Sequence, residues 1–203
     1  MSIAVILVHY HTPGLLAKSV EAIRRDIDSS SLDAEIIVVD NGSRTEDTDL
    51  LNSLDVKLIN PGENLGYAGG VNLGVKNTDA EIFFIMNPDV MVEEGCLGKL
   101  IAEIKRGASA AGPRFCLDVG KTILLPPLIE LTRRNEILWR LSALGETVAS
   151  GVRNIWREHA RCHWQAAAPI NSYSLTGALI GIDRRSWEKI GPFDERYKLY
   201  FEE

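Results

Sequence analysis

Two rhythms of apolar residues alternate along the chain. Ile3–Val8 (ending at His9), Glu35–Asp40, Val56–Asn60 and Phe83–Met86 are runs of strand length. Continuous apolar runs suit strands covered on both faces of a parallel sheet. Between them, apolar positions return at helical spacing. Leu16, Val20, Ile23 and Ile27 do so behind Thr12-Pro13, an N-cap followed by proline at the first helical position. Leu50, Leu51 and Leu54 mark a second helix over residues 46–54, a short helical pattern follows Asn72, and Leu97, Leu100, Ile101 and Ile104 mark another that ends near Gly107. The order β-α-β-α-β-α-β predicts an α/β fold: a mainly parallel central sheet, helices on both faces, and right-handed crossovers. Ala108–Phe115 reads as a further strand. The pattern then loosens, with a helix expected over Ile129–Leu144 and a basic, Trp-bearing piece carrying Arg153, Trp156, Arg157, Arg161 and Trp164. A strand over Ser174–Asp183 and a helix over Arg185–Ile190 restore it.

Candidate chemistry gathers where strands end. Asp40 closes the second strand ahead of the turn Asn41-Gly42-Ser43, and Asp89 follows the fourth strand behind Pro88, which fixes φ and stops the ladder. In open α/β sheets ligands bind in the crevice beyond the carboxyl ends of the strands. Each acid also has a plainer reading as a turn residue. Gly66, Gly69 and Gly70, behind Asn64, either let backbone approach a ligand or permit tight packing at a helix start.

Composition narrows the class. With 203 residues, 45% hydrophobic and 25% charged, the chain is expected to fold as one domain over 1–203. A net charge of −6 argues against a nucleic-acid partner and leaves a small anionic ligand bridged by a metal ion. Cys96, Cys116 and Cys162 include no C-x-x-C and read as free thiols in a reducing cytoplasm. Ile3–Val8 has no preceding Lys or Arg and reads as a buried strand, not a signal peptide. No apolar run reaches the roughly 18 residues that span a bilayer. His159, Cys162 and His163 lack the partner pair a zinc site needs. The basic Trp-bearing piece either faces an anionic surface, such as the cytoplasmic face of a membrane, or is a solvated face packed by two tryptophans. After the first strand comes His9-Tyr10-His11-Thr12-Pro13-Gly14, not the G-x-G-x-x-G of dinucleotide-binding oxidoreductases.

Taken in order, the motifs Val8-His9-Tyr10-His11, Val38-Val39-Asp40-Asn41-Gly42-Ser43, Asn64-Leu65-Gly66-Tyr67-Ala68-Gly69-Gly70-Val71-Asn72-Leu73-Gly74, Asn87-Pro88-Asp89, Thr176-Gly177-Ala178 and Gly191-Pro192-Phe193-Asp194-Glu195 leading to Tyr200-Phe201-Glu202-Glu203 span nearly the whole chain. The chain thus resembles the family 2 inverting glycosyltransferases of the GT-A nucleotide-diphospho-sugar fold, most of all bacterial rhamnosyltransferase-like members. The resemblance implies transfer of a sugar, rhamnose among the candidates, from a dTDP- or UDP-sugar to a saccharide or lipid-linked acceptor in cell-surface polysaccharide synthesis. It divides the domain into a nucleotide-binding half (1–115) and an acceptor-side half (116–203). By resemblance His9, Tyr10, Asp40, Asn64, Gly66, Gly69, Asn72, Asn87 and Asp89 bind the nucleotide sugar, with Asp40 at the base. Asp89 holds Mg²⁺ or Mn²⁺ as the last acid of a D-x-D element whose first position is Asn87 here. Thr176, Gly177 and Ala178 line the acceptor side, and Glu203, with Glu202 beside it, is the base. Relatives continue into further helices beyond the position of Glu203, so slow turnover by an incomplete enzyme, or donor binding without catalysis, is the alternative expectation.

Overall fold

The four apolar runs become β1 (Ile3–His9), β2 (Ala34–Asp40), β3 (Lys57–Ile59) and β4 (Ile82–Met86) in the computed structural model, which describes residues 1–44, 47–125, 132–172 and 174–196. Every residue of β1 is buried, because the strand sits inside the sheet, parallel to β2 on one side and β4 on the other. Two further strands, β5 (Ala110–Ala111) and β6 (Leu179–Asp183), complete the order β3-β2-β1-β4-β6-β5. β6 runs antiparallel to both β4 and β5. The sheet is thus mainly parallel, as the alternation predicts.

Helix α1 (Pro13–Ser29) crosses from β1 to β2, and α3 (Gly66–Lys76) crosses from β3 to β4 in the opposite direction. Right-handed crossovers therefore place them on opposite faces. Close approach of α3 to the sheet depends on absent side chains: a Cβ at Gly70 would lie 2.7 Å from Val8 Cγ1, and one at Gly74 would overlap Ile6. On the α1 side, α2 (Thr48–Ser53) and α4 (Cys96–Lys105) pack against α1. Helix α4 begins at Gly95, whose left-handed backbone supplies no side-chain cap. The fully buried Asp26 of α1 supplies it instead, accepting from Gly95 N at 2.6 Å and Leu97 N at 2.8 Å. Its negative charge there also suits the positive end of the helix dipole.

Several expectations are corrected. The strand expected over Ala108–Phe115 is reduced to Ala110–Ala111, because Gly112 and Pro113 cannot extend the ladder. The strand expected from Ser174 starts at Leu179. The helix expected after Asn72 already begins at Gly66. The helix expected over Ile129–Leu144 is α5 (Arg133–Leu141) followed by a 3₁₀ turn at Ser142–Leu144; residues 126–131 lie outside the described residues. The loosely patterned stretch after it is a 19-residue helix, α6 (Glu146–Trp164). The last helix, α7 (Arg184–Ile190), is capped by Asp183, whose carboxylate accepts from Ser186 N at 2.9 Å.

Contacts divide the chain into two compact units, residues 1–113 with 177–203, and residues 114–176. Within the second, the Arg114 guanidinium donates to the carbonyls of Trp164 (3.1 Å) and Ala166 (2.7 Å), closing the carboxyl end of α6. Trp156 and Trp164 meet edge to face, while Arg153 and Arg161 pair with Glu146 and Glu158 of their own helix. His163 Nδ1 donates to the His159 carbonyl at 2.9 Å, and Cys162 is exposed. Among the described residues no helix is long and apolar enough to cross a membrane.

Candidate active site at the carboxyl edge of the sheet

Because β1, β2 and β4 are parallel, their last residues arrive at one edge, and register pairs His9 directly with Asp40. The sheet order reverses between β1 and β4, which is where an open α/β sheet is expected to bind its ligand. Antiparallel β6 begins at the same edge, with Leu179 beside Met86.

His9 is fully buried, and both ring nitrogens are engaged. Nε2 accepts from the Thr12 backbone N–H at 3.0 Å, so it carries no proton. The proton of the neutral ring therefore sits on Nδ1, which faces Ser43 Oγ at 3.0 Å and Asp40 Oδ1 at 3.6 Å. Burial lowers the His9 pKa below its ordinary 6.5, against the opposing pull of Asp40. Asp40 is only 5% exposed, and its Oδ1 accepts from Ser43 N at 3.0 Å. The turn role weighed from sequence is thus realised. Tyr10 is exposed beside this turn, stacked obliquely on His11.

Asn41, read from sequence only as part of a turn, ties the next loop to this corner. Its Nδ2 donates to Asn64 Oδ1 (2.9 Å) and Gly66 O (3.0 Å), and its Oδ1 accepts from Leu65 N (2.8 Å). Asn64 Oδ1 also accepts from Gly66 N at 2.8 Å, holding the first residue of α3 at φ +74°, a backbone that favours glycine. Asn41 and Ser43 are the residues sequence reasoning passed over. The available signal was a run of small polar residues directly behind a strand-end acid.

On the other side of β1, Asn87 follows β4, and its N–H donates to Ala178 O at 2.9 Å. Asp89 lies exposed in the turn behind Pro88. The Gly177 carbonyl accepts from Tyr67 Oη at 3.4 Å, so Gly177 and Ala178 sit between α3 and the loop after β4. Thr176 is the last residue of the other compact unit. The Asn72 amide is engaged by Phe193 and Glu195. Gly69 lies beneath the Glu195 carboxylate. Asp194 is held ionised by the Arg196 side chain and backbone, its pKa down to about 2, which makes it a poor proton acceptor. Glu202 and Glu203 lie outside the described residues.

Asp89 offers a divalent cation an exposed carboxylate at this edge. Magnesium and manganese sites of this kind take one or two protein acids and complete the shell with phosphate oxygens and water. The donor set fits a cation that arrives with a diphosphate. Among the described residues no cluster of three acidic, His or Cys ligands could hold a metal alone.

Solved structures with this topology include the 1–349 fragment of S. aureus TarS in complex with UDP (TM-score 0.62, 15% identity, 98% of this chain and 52% of that one). The mannosyltransferase PcManGT from Pyrobaculum calidifontis, in complex with GDP-Man and Mn²⁺, superposes with TM-score 0.60 at 16% identity, over 95% of this chain and 47% of that one. These likenesses define a GT-A fold. Residues 4–158 match the model of glycosyl transferase family 2, and the chain belongs to that family. It is also 26% identical over 207 residues to the low-salt glycan biosynthesis hexosyltransferase Agl10 of Haloferax volcanii, covering 99% of this chain and 59% of that relative's length.

Proposed function

We propose that this chain binds a nucleoside diphospho-sugar along the carboxyl edge of its sheet and transfers the sugar, a hexose or rhamnose, to a saccharide or lipid-linked acceptor in glycan biosynthesis. The observation that carries this is the placement of Asp40, ending β2, and Asp89, behind β4, at the carboxyl edge on either side of β1, on a family 2 chain. Asp40 supplies the base contact. With Oδ1 committed to Ser43 N and facing His9, its other oxygen suits the single imide N–H of uracil or thymine better than the paired donors of guanine. Asp89 would hold the divalent cation, which, when bound, neutralises charge on the departing diphosphate. Inversion follows from direct attack: the acceptor oxygen bonds to the anomeric carbon as the bond to the diphosphate breaks, and a carboxylate takes the hydroxyl proton. Family resemblance assigns that proton to Glu203, with Glu202 beside it, and sets Thr176, Gly177 and Ala178 on the acceptor side.

A thermal-shift screen of UDP-glucose, dTDP-rhamnose and GDP-mannose with Mg²⁺ tests the donor assignment, since a ligand of the folded state raises its midpoint. The uridine or thymidine donor should stabilise most, and Asp40→Ala should abolish that shift and weaken uridine or thymidine alone. Unchanged nucleoside affinity in Asp40→Ala would remove Asp40 from base recognition.

A further inference from the structure

Asn72 links distant parts of the first compact unit through three hydrogen bonds. It lies on α3, six residues after the helix start, yet its amide bonds to residues more than 120 positions later in the chain. Oδ1 accepts from Phe193 N at 2.9 Å, and Nδ2 donates to Phe193 O at 3.0 Å. A carboxamide carries the same donor and acceptor as a peptide group, so Asn72 meets Phe193 as a neighbouring strand residue would. The second amide proton goes to Glu195 Oε1 at 2.8 Å. The orientation is unambiguous: rotating the amide would set Oδ1 against a carbonyl and a carboxylate, and Nδ2 against an N–H.

The clamped segment is braced from its other side. The Phe193 ring packs on Trp187 at 5.3 Å between centroids, and Trp187 meets Phe83 of β4 edge-on at 5.4 Å. Gly69, one turn before Asn72, lies against the same carboxylate: a Cβ there would sit in ordinary contact with Glu195 Cδ, at 3.8 Å, and would crowd Leu65 Cβ at 2.9 Å. Helix α3 therefore presents its start to the nucleotide loop through Gly66 and Asn64, and its middle to the acidic segment.

We propose that Asn72 is a positioning residue, touching neither nucleotide nor acceptor, that ties α3 to Phe193–Glu195 and so sets the entry to the stretch carrying the catalytic carboxylate. This rests on the glycosyltransferase reading above. It replaces the direct nucleotide contact expected of Asn72 from sequence with a mechanical role, coupling the donor side of the site to the base side.

The test compares wild type, Asn72→Ala, Asn72→Asp and Asn72→Asp/Glu195→Gln in three readouts. These are UDP affinity by calorimetry, nucleotide release from whichever of UDP-glucose, dTDP-rhamnose and GDP-mannose stabilises the protein most, and amide hydrogen exchange at Phe193. UDP affinity should stay within about threefold of wild type, while turnover falls roughly tenfold or more, in keeping with the sensitivity of catalysis to small misplacements. Phe193 should exchange faster in Asn72→Ala. Asn72→Asp should be the slowest enzyme, because its carboxylate opposes the Phe193 carbonyl and Glu195, and the double variant should recover part of the loss. Affinity falling as far as turnover would make Asn72 a nucleotide ligand, and unchanged turnover with a freed Phe193 amide would leave the clamp without a catalytic role; either result overturns the proposal. If wild type neither binds UDP nor releases nucleotide, the glycosyltransferase reading has failed and the positioning role falls with it, while Phe193 exchange still reports separately whether the clamp exists.

Discussion

A single buried histidine shows how finely the edge is set. His9 is neutral because its Nε2 must accept from Thr12 N, and protonation there would place two donors against each other. The groups facing it are Asp40, Asp47 and His11, of which the two acids oppose the lowering caused by burial. Since the folded pKa lies below 6.5, the unfolded chain takes up a proton first as pH falls. His9 therefore contributes stability fully above about pH 6.5, and this contribution is lost progressively as pH drops through the folded value. The His9 ring resonances should titrate below 6.5, and His9→Gln, which keeps an acceptor for Thr12 N, should flatten this part of the stability profile. A His9 that titrates above 6.5 would mean the ring is charged and the Thr12 contact is wrong.

At the scale of elements, what was legible followed from period and punctuation. β1, β2 and β4 stood out because Ile3–Val8, Ile36–Val39 and Ile82–Met86 are unbroken apolar runs, and the start of α1 was marked correctly by Thr12-Pro13. What escaped were elements and contacts made by tertiary partners. β6 is antiparallel to its neighbours, a direction no apolar run encodes. Helix α6 was hidden because its repeating positions Ala149, Val152, Trp156, Ala160 and His163 are mostly small or polar. Asp26, between Ile23 and Ile27, carries no sequence signal of its role, yet it is buried as the cap of α4. Asp40 and Asp89 were readable because strand ends are readable, whereas Asn41, Ser43 and the Asn72 clamp depend on which loops meet. Removing the Asp26 carboxylate strands two backbone N–H groups, so Asp26→Ala should cost about 2 to 4 kcal/mol in urea unfolding. A loss under about 0.5 kcal/mol, the usual range of surface changes, would show that α4 does not depend on it.

At the scale of the whole molecule, charge decides how an anionic donor can be held. Of 22 Lys and Arg, eight lie in residues 114–176, where five of the 28 acids lie, so the remainder of the chain carries −9. A diphosphate arriving at an edge that already presents Asp40 and Asp89 is repelled unless a cation accompanies it. Under the proposed function, the unit that carries the sheet binds nucleotide and metal together. Calorimetric titration of UDP into wild type and Asp89→Asn, with Mg²⁺ or Mn²⁺ and then with EDTA, measures that coupling. The metal should tighten binding to wild type by roughly tenfold or more; this gain should vanish in Asp89→Asn while the thermal midpoint stays unchanged, because Asp89 is exposed. Equal affinity with and without metal, or a gain that survives in Asp89→Asn, would contradict it.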